Sequence, residues 1–346
     1  MERKLYPSLD IAKFAMAMSI LLSHTQNERA MDASGLVHNA LAISNFAVPF
    51  FFACSAFLFF AKVKILDKEE SLAYWKHFSI RLGKMYLVWT VIYFAFQLTS
   101  WLLYGGSQQE VMEYFHRLLV YSSYPTIWFL PALWVGMTLV FFMNRSFRTS
   151  SIIIVSLVLY IILALGECYS NVICQNSMVD TIWRNYINIF VTWRNGLFFA
   201  TPFITCGYIV AIIEPKFSKN VYLGFTLLLG FLFVVESFII KRQGFSDYTH
   251  CGFFLLPATY CLMRWLTMLN ITNKSYYVHL RNLSMLTFLS QRLFLTAIPS
   301  VWPQFGYFMD VMNPYLTILF VATLVILFSM CIEKLSNRYP SLKILW

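Results

Sequence analysis

The chain has 346 residues, of which 59% are hydrophobic and 12% are charged, and its mean hydropathy is +0.64. Soluble domains carry about 25% charged residues, so the composition excludes an ordinary soluble domain and indicates a membrane protein with several spans. The net charge of +10 would suggest nucleic-acid binding in a soluble protein. Here the lysines and arginines lie in short segments between apolar runs, where orientation in the membrane explains them.

About ten apolar runs follow one another along the chain, each near the length that crosses a bilayer. They cover residues 9–27, 38–61, 82–104, 125–143, 150–168, 195–213, 221–240, 250–269, 283–300 and 314–333. The runs predict an all-α membrane bundle of about ten transmembrane helices, forming a single integral membrane domain over residues 1–346. Most of the cations fall on one side of this arrangement, so the positive-inside rule predicts cytoplasmic termini and a multi-pass protein of the cell (plasma) membrane.

The first run carries two polar side chains that its anchoring does not need. Lys13 and His24 are eleven residues apart, which returns a helix to nearly the same face roughly 16 Å further along its axis. Asp10 lies one turn before Lys13 and is placed to pair with it. Charge inside a membrane helix is costly and usually faces a cavity or a partner, so the pattern indicates a functional site. The structural alternative is that Lys13 snorkels and His24 marks the interface.

Two segments between the runs need not cross the membrane. Residues 71–80 have the pattern of an amphipathic helix on the inner surface. Residues 169–194 form the longest outer loop, which is placed to cover or line an external opening. Cys168 lies just before this loop and Cys174 lies near its start, and the sequence leaves open whether the two form a disulfide. No loop is long enough for a soluble domain, so any chemistry must take place within the bundle.

Several common catalytic motifs are absent from the sequence. It has no GxGxxG, Walker loop, GxSxG or HExxH motif, and its seven cysteines lack zinc-site spacing. These absences argue against an ATP-driven pump, a Rossmann enzyme, a serine-elbow hydrolase and a zinc protease, and no metal is expected.

Three stretches are similar to motifs of a known family. Asp10, Lys13 and His24 in the first run resemble an Asp…Arg/Lys…His element; residues 48–58 read VPFFFACSAFL, and residues 127–133 read IWFLPAL. In this order they resemble the acyltransferase-3 proteins, which are ten-helix membrane enzymes that O-acylate bacterial cell-surface carbohydrates. The number and order of the apolar runs also resemble those of the family, so the resemblance extends over nearly the whole chain.

The sequence also departs from the family pattern at four positions. Lys13 stands where arginine is commoner, which keeps the charge but loses bidentate phosphate contact. Ala56 replaces a usual glycine, and Thr126 and Gln291 stand where many members have histidine.

The resemblance implies transfer of an acetyl or other short acyl group from cytoplasmic acyl-CoA, with acetyl-CoA as the usual co-substrate. The polyanionic donor needs cations on the inner side. Lys13, Arg81 and Lys84 are the predicted binding residues for its phosphates. Ordinary positive-inside anchoring is the alternative for Arg81 and Lys84.

The implied acceptor is a hydroxyl of a cell-envelope glycan or of a lipid-linked sugar. His24 is predicted to be the catalytic base that takes the hydroxyl proton, with Asp10 and Glu236 in supporting catalytic roles. The alternative for His24 is that it accepts the acyl group itself. Glu236 lies near the outer end of the run 221–240, where pairing with Lys241 or Arg242 is the structural alternative.

Arg264, inside the run 250–269, is expected to snorkel to the inner surface.

Two other classes of function compete with the enzyme. The first is a transporter or permease-like domain for a small polar molecule, which should show broken helices at matched positions in two halves. Pro49, Pro131 and Pro202 lie within predicted spans, but no matched halves are evident. The second is a membrane partner protein without catalysis, which would not bind CoA.

Overall fold

The computed structural model describes residues 6–28, 44–272 and 274–346, and every regular element in these ranges is a helix. The α-helices are α1 Pro7–Glu28, α2 Ala47–Val63, α3 Lys68–Tyr104, α4 Gln108–Val120, α5 Phe129–Ser146, α6 Thr149–Cys168, α7 Ser170–Ile173, α8 Ser177–Phe190, α9 Thr201–Ile212, α10 Lys219–Arg242, α11 Leu255–Thr267, α12 Tyr276–Arg292, α13 Ile298–Val301, α14 Pro303–Val311 and α15 Pro314–Ser336. Two π-helical turns, Gly196–Ala200 and Leu293–Ala297, and a C-terminal 3₁₀ helix, Pro340–Leu345, complete the set.

Each predicted apolar run coincides with a helix, although the first residues of the run 38–61 lie outside the described ranges. Four of the described helices, α3, α6, α10 and α15, are long and apolar enough to cross a membrane by themselves. The predicted all-helical membrane fold is therefore confirmed in its class. The number of spans and the side of each terminus stay predictions.

The chain divides into two compact units that are interleaved in sequence. Unit one consists of Met1–Ala47, Arg81–Trp128 and Ile271–Trp346, and unit two consists of Val48–Ile80 and Phe129–Asn270.

In unit one, α1 packs chiefly against α12 and then against α15. Leu21 of α1 and Leu295, just beyond α12, share a hydrophobic cluster with Met309, Val321 and Val325. Two helices that pack along their length and meet near their C-terminal ends must run parallel. Successive membrane spans run in opposite directions, so the first and ninth predicted spans are expected to run in the same direction, as these two helices do.

Unit two has an aromatic core. Phe52 of α2 and Phe129 of α5 lie with ring centroids 4.5 Å apart, and Phe199 and Phe203 lie 5.1 Å apart. All four rings are buried. Such ring pairs contribute about 1 kcal/mol each beyond the area that they bury.

Arg264 does not snorkel, so that expectation was wrong. Its guanidinium is buried and donates to the carbonyl oxygens of Ile213 at 2.7 Å and of Val210 and Ile209 at 3.2 Å. These carbonyls belong to the last turn of α9 and its C-cap, where helix carbonyls run out of intrahelical donors, although the Ile209 carbonyl also accepts from the Ile213 N–H at 3.0 Å. Arg264 of α11 therefore caps a neighbouring helix within unit two.

Residues 71–80 are helical, as predicted, and form the first part of the 37-residue helix α3, which continues past Gly83 because one glycine costs only about 1 kcal/mol. Their place on the inner surface stays a prediction. Residues 169–194 are mostly helical, forming α7 and α8. Helix α8 begins because the Asn176 side chain accepts from the backbone N–H groups of Met178 and Val179.

The two π-helical turns share one sequence feature. Pro202 and Pro299 each stand two residues after a π-turn, at the start of the next α-helix. Because proline has no backbone N–H, the carbonyl four residues earlier loses its usual α-helical partner. A turn with i to i+5 hydrogen bonds rearranges the helix around that loss. The predicted spans 195–213 and 283–300 are therefore helical but not uniformly α-helical.

Candidate active site

Helix α1 places Asp10 in its first turn and Lys13 one turn later. The Lys13 ammonium lies 3.7 Å from the Asp10 carboxylate, and both side chains are nearly buried, at 12% and 10% exposure. The predicted pairing is therefore confirmed. A charge that is nearly buried costs least when a partner of opposite sign lies close, so Asp10 offsets part of the cost of placing Lys13 inside unit one.

His24 lies on the same helix, eleven residues after Lys13 and therefore on nearly the same face. Its side chain is half-buried. The neighbouring Thr25 hydroxyl donates to the Leu21 carbonyl at 2.8 Å, which ties that turn to the helix backbone. The aligned ammonium and imidazole that the sequence predicts are thus present on one continuous helix.

Arg81 and Lys84 are exposed on α3, one turn apart, in unit one. The Arg81 guanidinium donates to the carbonyl of Trp346 at 3.1 Å, and the Trp89 indole donates to the carbonyl of Leu345 at 3.1 Å. The principal partners of α1 are α12 and α15, and α3 is not among them. The phosphate-binding role of Arg81 and Lys84 stays a prediction, and the structure gives Arg81 a backbone partner as well.

Glu236 belongs to unit two, where three donors hold its carboxylate. They are the Tyr169 hydroxyl at 2.8 Å and the backbone N–H groups of Phe253 at 2.8 Å and Phe254 at 3.2 Å. A Cβ added at Gly252 would contact the same carboxylate. Glu236 thus organises the segment that leads into α11, and within the described residues its partners are these donors rather than Lys241 or Arg242. Its catalytic role stays a prediction.

The Tyr169 phenol is part of the same network. Burial, the hydrogen bond to Glu236 and the charge of Glu236 together raise its pKa well above the ordinary value for tyrosine. The phenol therefore stays protonated and remains a donor to Glu236 at any physiological pH.

Replacing Glu236 with glutamine is expected to lower the free energy of unfolding by about 2 kcal/mol. One carboxylate oxygen becomes an NH₂ group, so one of the backbone donors at Phe253 or Phe254 loses its acceptor and faces another donor. Thermal unfolding of the purified protein measures this, with the exposed Glu113→Gln as the matched control. A purely catalytic role predicts the opposite, namely unchanged unfolding with lower activity per folded molecule.

Cys168 and Cys174 are both free thiols in the structure. The Cys168 sulfur instead accepts from the backbone N–H of Cys251 at 3.3 Å. Cys168 therefore packs against the segment before α11, and a disulfide with Cys174 is not formed.

Gln291 was noted in the sequence as a residue that could line a cavity or form an inter-helix bond, but two buried hydroxyls beside it on α12 were not noted. The side chains of Thr287, Ser290 and Gln291 are fully buried. Within the described part of the chain, neither hydroxyl has a hydrogen-bond partner, and the Gln291 side-chain oxygen also has none. Their spacing of three and one residues inside an apolar run is the signal that was available, because it places all three near one helix face.

Comparison with known proteins identifies the family to which the chain is similar. Residues 6–334 match the acyltransferase-3 family model, which is described as an acyltransferase domain. An amino-acid racemase of Enterococcus faecalis is 22% identical over 268 residues, covering 75% of this chain and 36% of the relative. A serine/alanine racemase of Enterococcus gallinarum is 25% identical over 268 residues, covering 74% and 37%.

The matched region is thus little more than a third of the length of these curated relatives. Their names describe whole proteins, most of which lie outside the match, and they assign no activity to this chain. No solved structure matches the chain significantly. The family model, in contrast, covers nearly every residue, including the helix with Asp10, Lys13 and His24 and both other motif stretches. The chain therefore belongs to the acyltransferase-3 family, as its motifs predict.

Proposed function

We propose that the protein is a plasma-membrane O-acyltransferase that moves an acetyl or other short acyl group from cytoplasmic acyl-CoA to a hydroxyl of a cell-envelope glycan or lipid-linked sugar. The family supports a membrane acyltransferase. The observation that carries the finer proposal is the arrangement on α1, with a nearly buried Lys13–Asp10 pair at one end and His24 at the other.

Each of these side chains has a task suited to its chemistry. Lys13 supplies a positive charge for the CoA phosphates, and Asp10 fixes the position of that ammonium. Arg81 and Lys84 are proposed to add to the positive potential of the inner side. His24, about 16 Å further along the helix, is then level with the thioester end of the donor.

The transfer step balances without any cofactor. His24 removes the proton from the acceptor hydroxyl as its oxygen attacks the thioester carbonyl carbon. The new carbon–oxygen bond forms, the carbon–sulfur bond breaks, and the CoA thiolate leaves. The imidazolium returns its proton to that thiolate, so the products are the acyl ester and free CoA. No metal has a part in this scheme.

The test follows the acyl group itself. Purified protein is reconstituted into vesicles prepared from bacterial envelope lipids and glycans, and acetyl-CoA labelled in its acetyl group is supplied on the cytoplasmic side. We expect label in base-labile esters of the glycan or lipid-linked sugar fraction, with one free CoA released for each ester formed. Absence of both label and CoA release would contradict the proposal.

The same vesicles distinguish an enzyme from a transporter. A permease for a small polar molecule would move solute without consuming acyl-CoA. Acetyl-CoA hydrolysis or transfer that depends on the protein favours the enzyme, and solute uptake without any CoA release would favour the transporter.

A further inference from the structure

Helix α8 carries an apolar stripe that remains exposed. Met178, Ile182 and Ile189 follow one another at intervals of four and seven residues, which places them within about 40° of one another around the helix. Their side chains are 71%, 56% and 53% exposed. A single exposed apolar side chain needs no explanation, but three that are aligned on one helix indicate a surface that contacts something apolar.

The side of α8 beyond this stripe is polar. Asp180, Arg184 and Asn188 lie on it, and the Arg184 guanidinium pairs with the Asp180 carboxylate at 2.7 Å. These two residues are the only charged ones in the helix, so α8 has no net charge. A neutral helix with an apolar stripe beside a polar face fits the boundary between lipid and water better than it fits a charged partner.

Two contacts hold α8 against the end of α6. The Trp183 indole N–H donates to the Gly166 carbonyl at 2.8 Å. The Tyr186 ring stacks on the Trp193 ring, with centroids 3.9 Å apart, and Trp193 packs directly against Gly166. Helix α8 is therefore fixed at the level of the last turn of α6, and the direction of its apolar stripe is fixed as well.

Helix α6 sets the level of Gly166 in the membrane. It has 20 residues and is apolar enough to cross a bilayer, and its length of about 30 Å equals the thickness of the hydrocarbon core. Arg148 is exposed directly before its first residue, which places that end of the helix at one boundary of the core. Gly166, about 25 Å further along the helix, then lies close to the opposite boundary.

We infer that α8 is an interfacial helix whose stripe of Met178, Ile182 and Ile189 inserts into the lipid leaflet at the C-terminal end of α6. The bilayer is the partner because a stripe held at this level meets acyl chains rather than water. The Trp183 indole then lies at the depth where tryptophan is enriched in membrane proteins. The segment 169–194, predicted as an outer loop, thus contacts the membrane itself. The inference depends on α6 crossing the bilayer and is independent of acyl transfer.

Nitroxide spin labels test this contact in the full chain, reconstituted into phosphatidylcholine nanodiscs. Met178→Cys, Ile182→Cys and Ile189→Cys are labelled one at a time, in a background where serine replaces Cys174 and Cys331, the two native cysteines that are not buried. Collisions with oxygen, which concentrates in lipid, are compared with collisions with a water-soluble nickel chelate. We expect all three labels to favour oxygen and to lie about 5–10 Å into the boundary region.

Two further labels calibrate the measurement. Asn188→Cys lies on the polar face of the same helix and should favour the chelate. Ile154→Cys, on the exposed side of α6, should favour oxygen and lie deeper than the α8 labels, because its side chain is 62% exposed in the middle part of a crossing helix. All five positions are exposed, so labelling should leave thermal unfolding of the protein unchanged, which is measured for each variant.

Three results would overturn the inference. Equal chelate access at Ile182 and Asn188 would place the stripe in water. Low access of both agents to the stripe would mean that protein covers it, and dipolar broadening between labels would identify that protein as a second copy of the chain. Chelate access at Ile154 would mean that α6 does not cross the bilayer. A protein that transfers no acyl group but gives the expected label depths would contradict the proposed function and support this inference.

Discussion

Replacing His24 with alanine is expected to reduce acyl transfer about 10³-fold, the usual range for loss of a general base. Without the imidazole, the acceptor hydroxyl must lose its proton to water, and the departing thiolate has no positioned proton donor. The measurement is CoA release from acetyl-CoA together with labelled ester formation. Because His24 is only half-buried near the end of α1, the change should leave thermal unfolding nearly the same.

The specificity of this effect is checked by a second histidine and by binding. His279 is exposed in unit one and contacts Glu333 at 3.1 Å, so His279→Ala removes an imidazole without touching α1. It should retain wild-type transfer. His24→Ala should still bind CoA with wild-type Kd, because the Lys13–Asp10 pair remains. Transfer at the wild-type rate by a folded His24→Ala protein would remove the proposed mechanism.

The candidate site on α1 was predictable because it depends on short sequence distances. A helix of known periodicity fixes the relation of Asp10, Lys13 and His24 within about four turns. The confirmed Lys13–Asp10 contact is a local i to i+3 pair, which needs no knowledge of tertiary structure.

Contacts between distant segments were not predictable in this way. Glu236 binds the N–H groups of Phe253 and Phe254 across a loop, and Arg264 binds carbonyls more than fifty positions earlier. A lone charge in an apolar run indicates that a partner exists but does not identify it. The sequence therefore suggested flanking lysines, arginines or the membrane surface. The partners are instead backbone groups together with the hydroxyls of Tyr169 and Tyr260.

The two π-turns are a third case. The sequence contained prolines that disturb a helix, but it did not determine which backbone conformation would result. Pro202 and Pro299 predict a disturbance of the helix, which a kink, a break or a π-turn can each provide. The choice depends on hydrogen-bond partners supplied by the surrounding structure, such as the Tyr93 hydroxyl that donates to the Leu289 carbonyl at 2.6 Å.

Replacing Gly207 with alanine is expected to lower the free energy of unfolding by about 3 kcal/mol. A Cβ at this position of α9 would overlap the backbone carbonyl of Ala53 and approach the Ala56 side chain at 2.8 Å, both on α2. A backbone carbonyl cannot rotate away as a flexible side chain does, so the two helices must separate. Separation would also disturb the aromatic packing of Phe52 against Phe199, whose ring centroids are 5.9 Å apart.

Gly224→Ala is the matched control, because it is the same substitution inside a helix of unit two. No atom lies within 4 Å of the added Cβ, so helix propensity alone applies and stability should rise by up to about 1 kcal/mol. Thermal unfolding of both variants in the same detergent gives the comparison. Equal stability of the two variants would mean that α9 and α2 are not in backbone contact at Gly207.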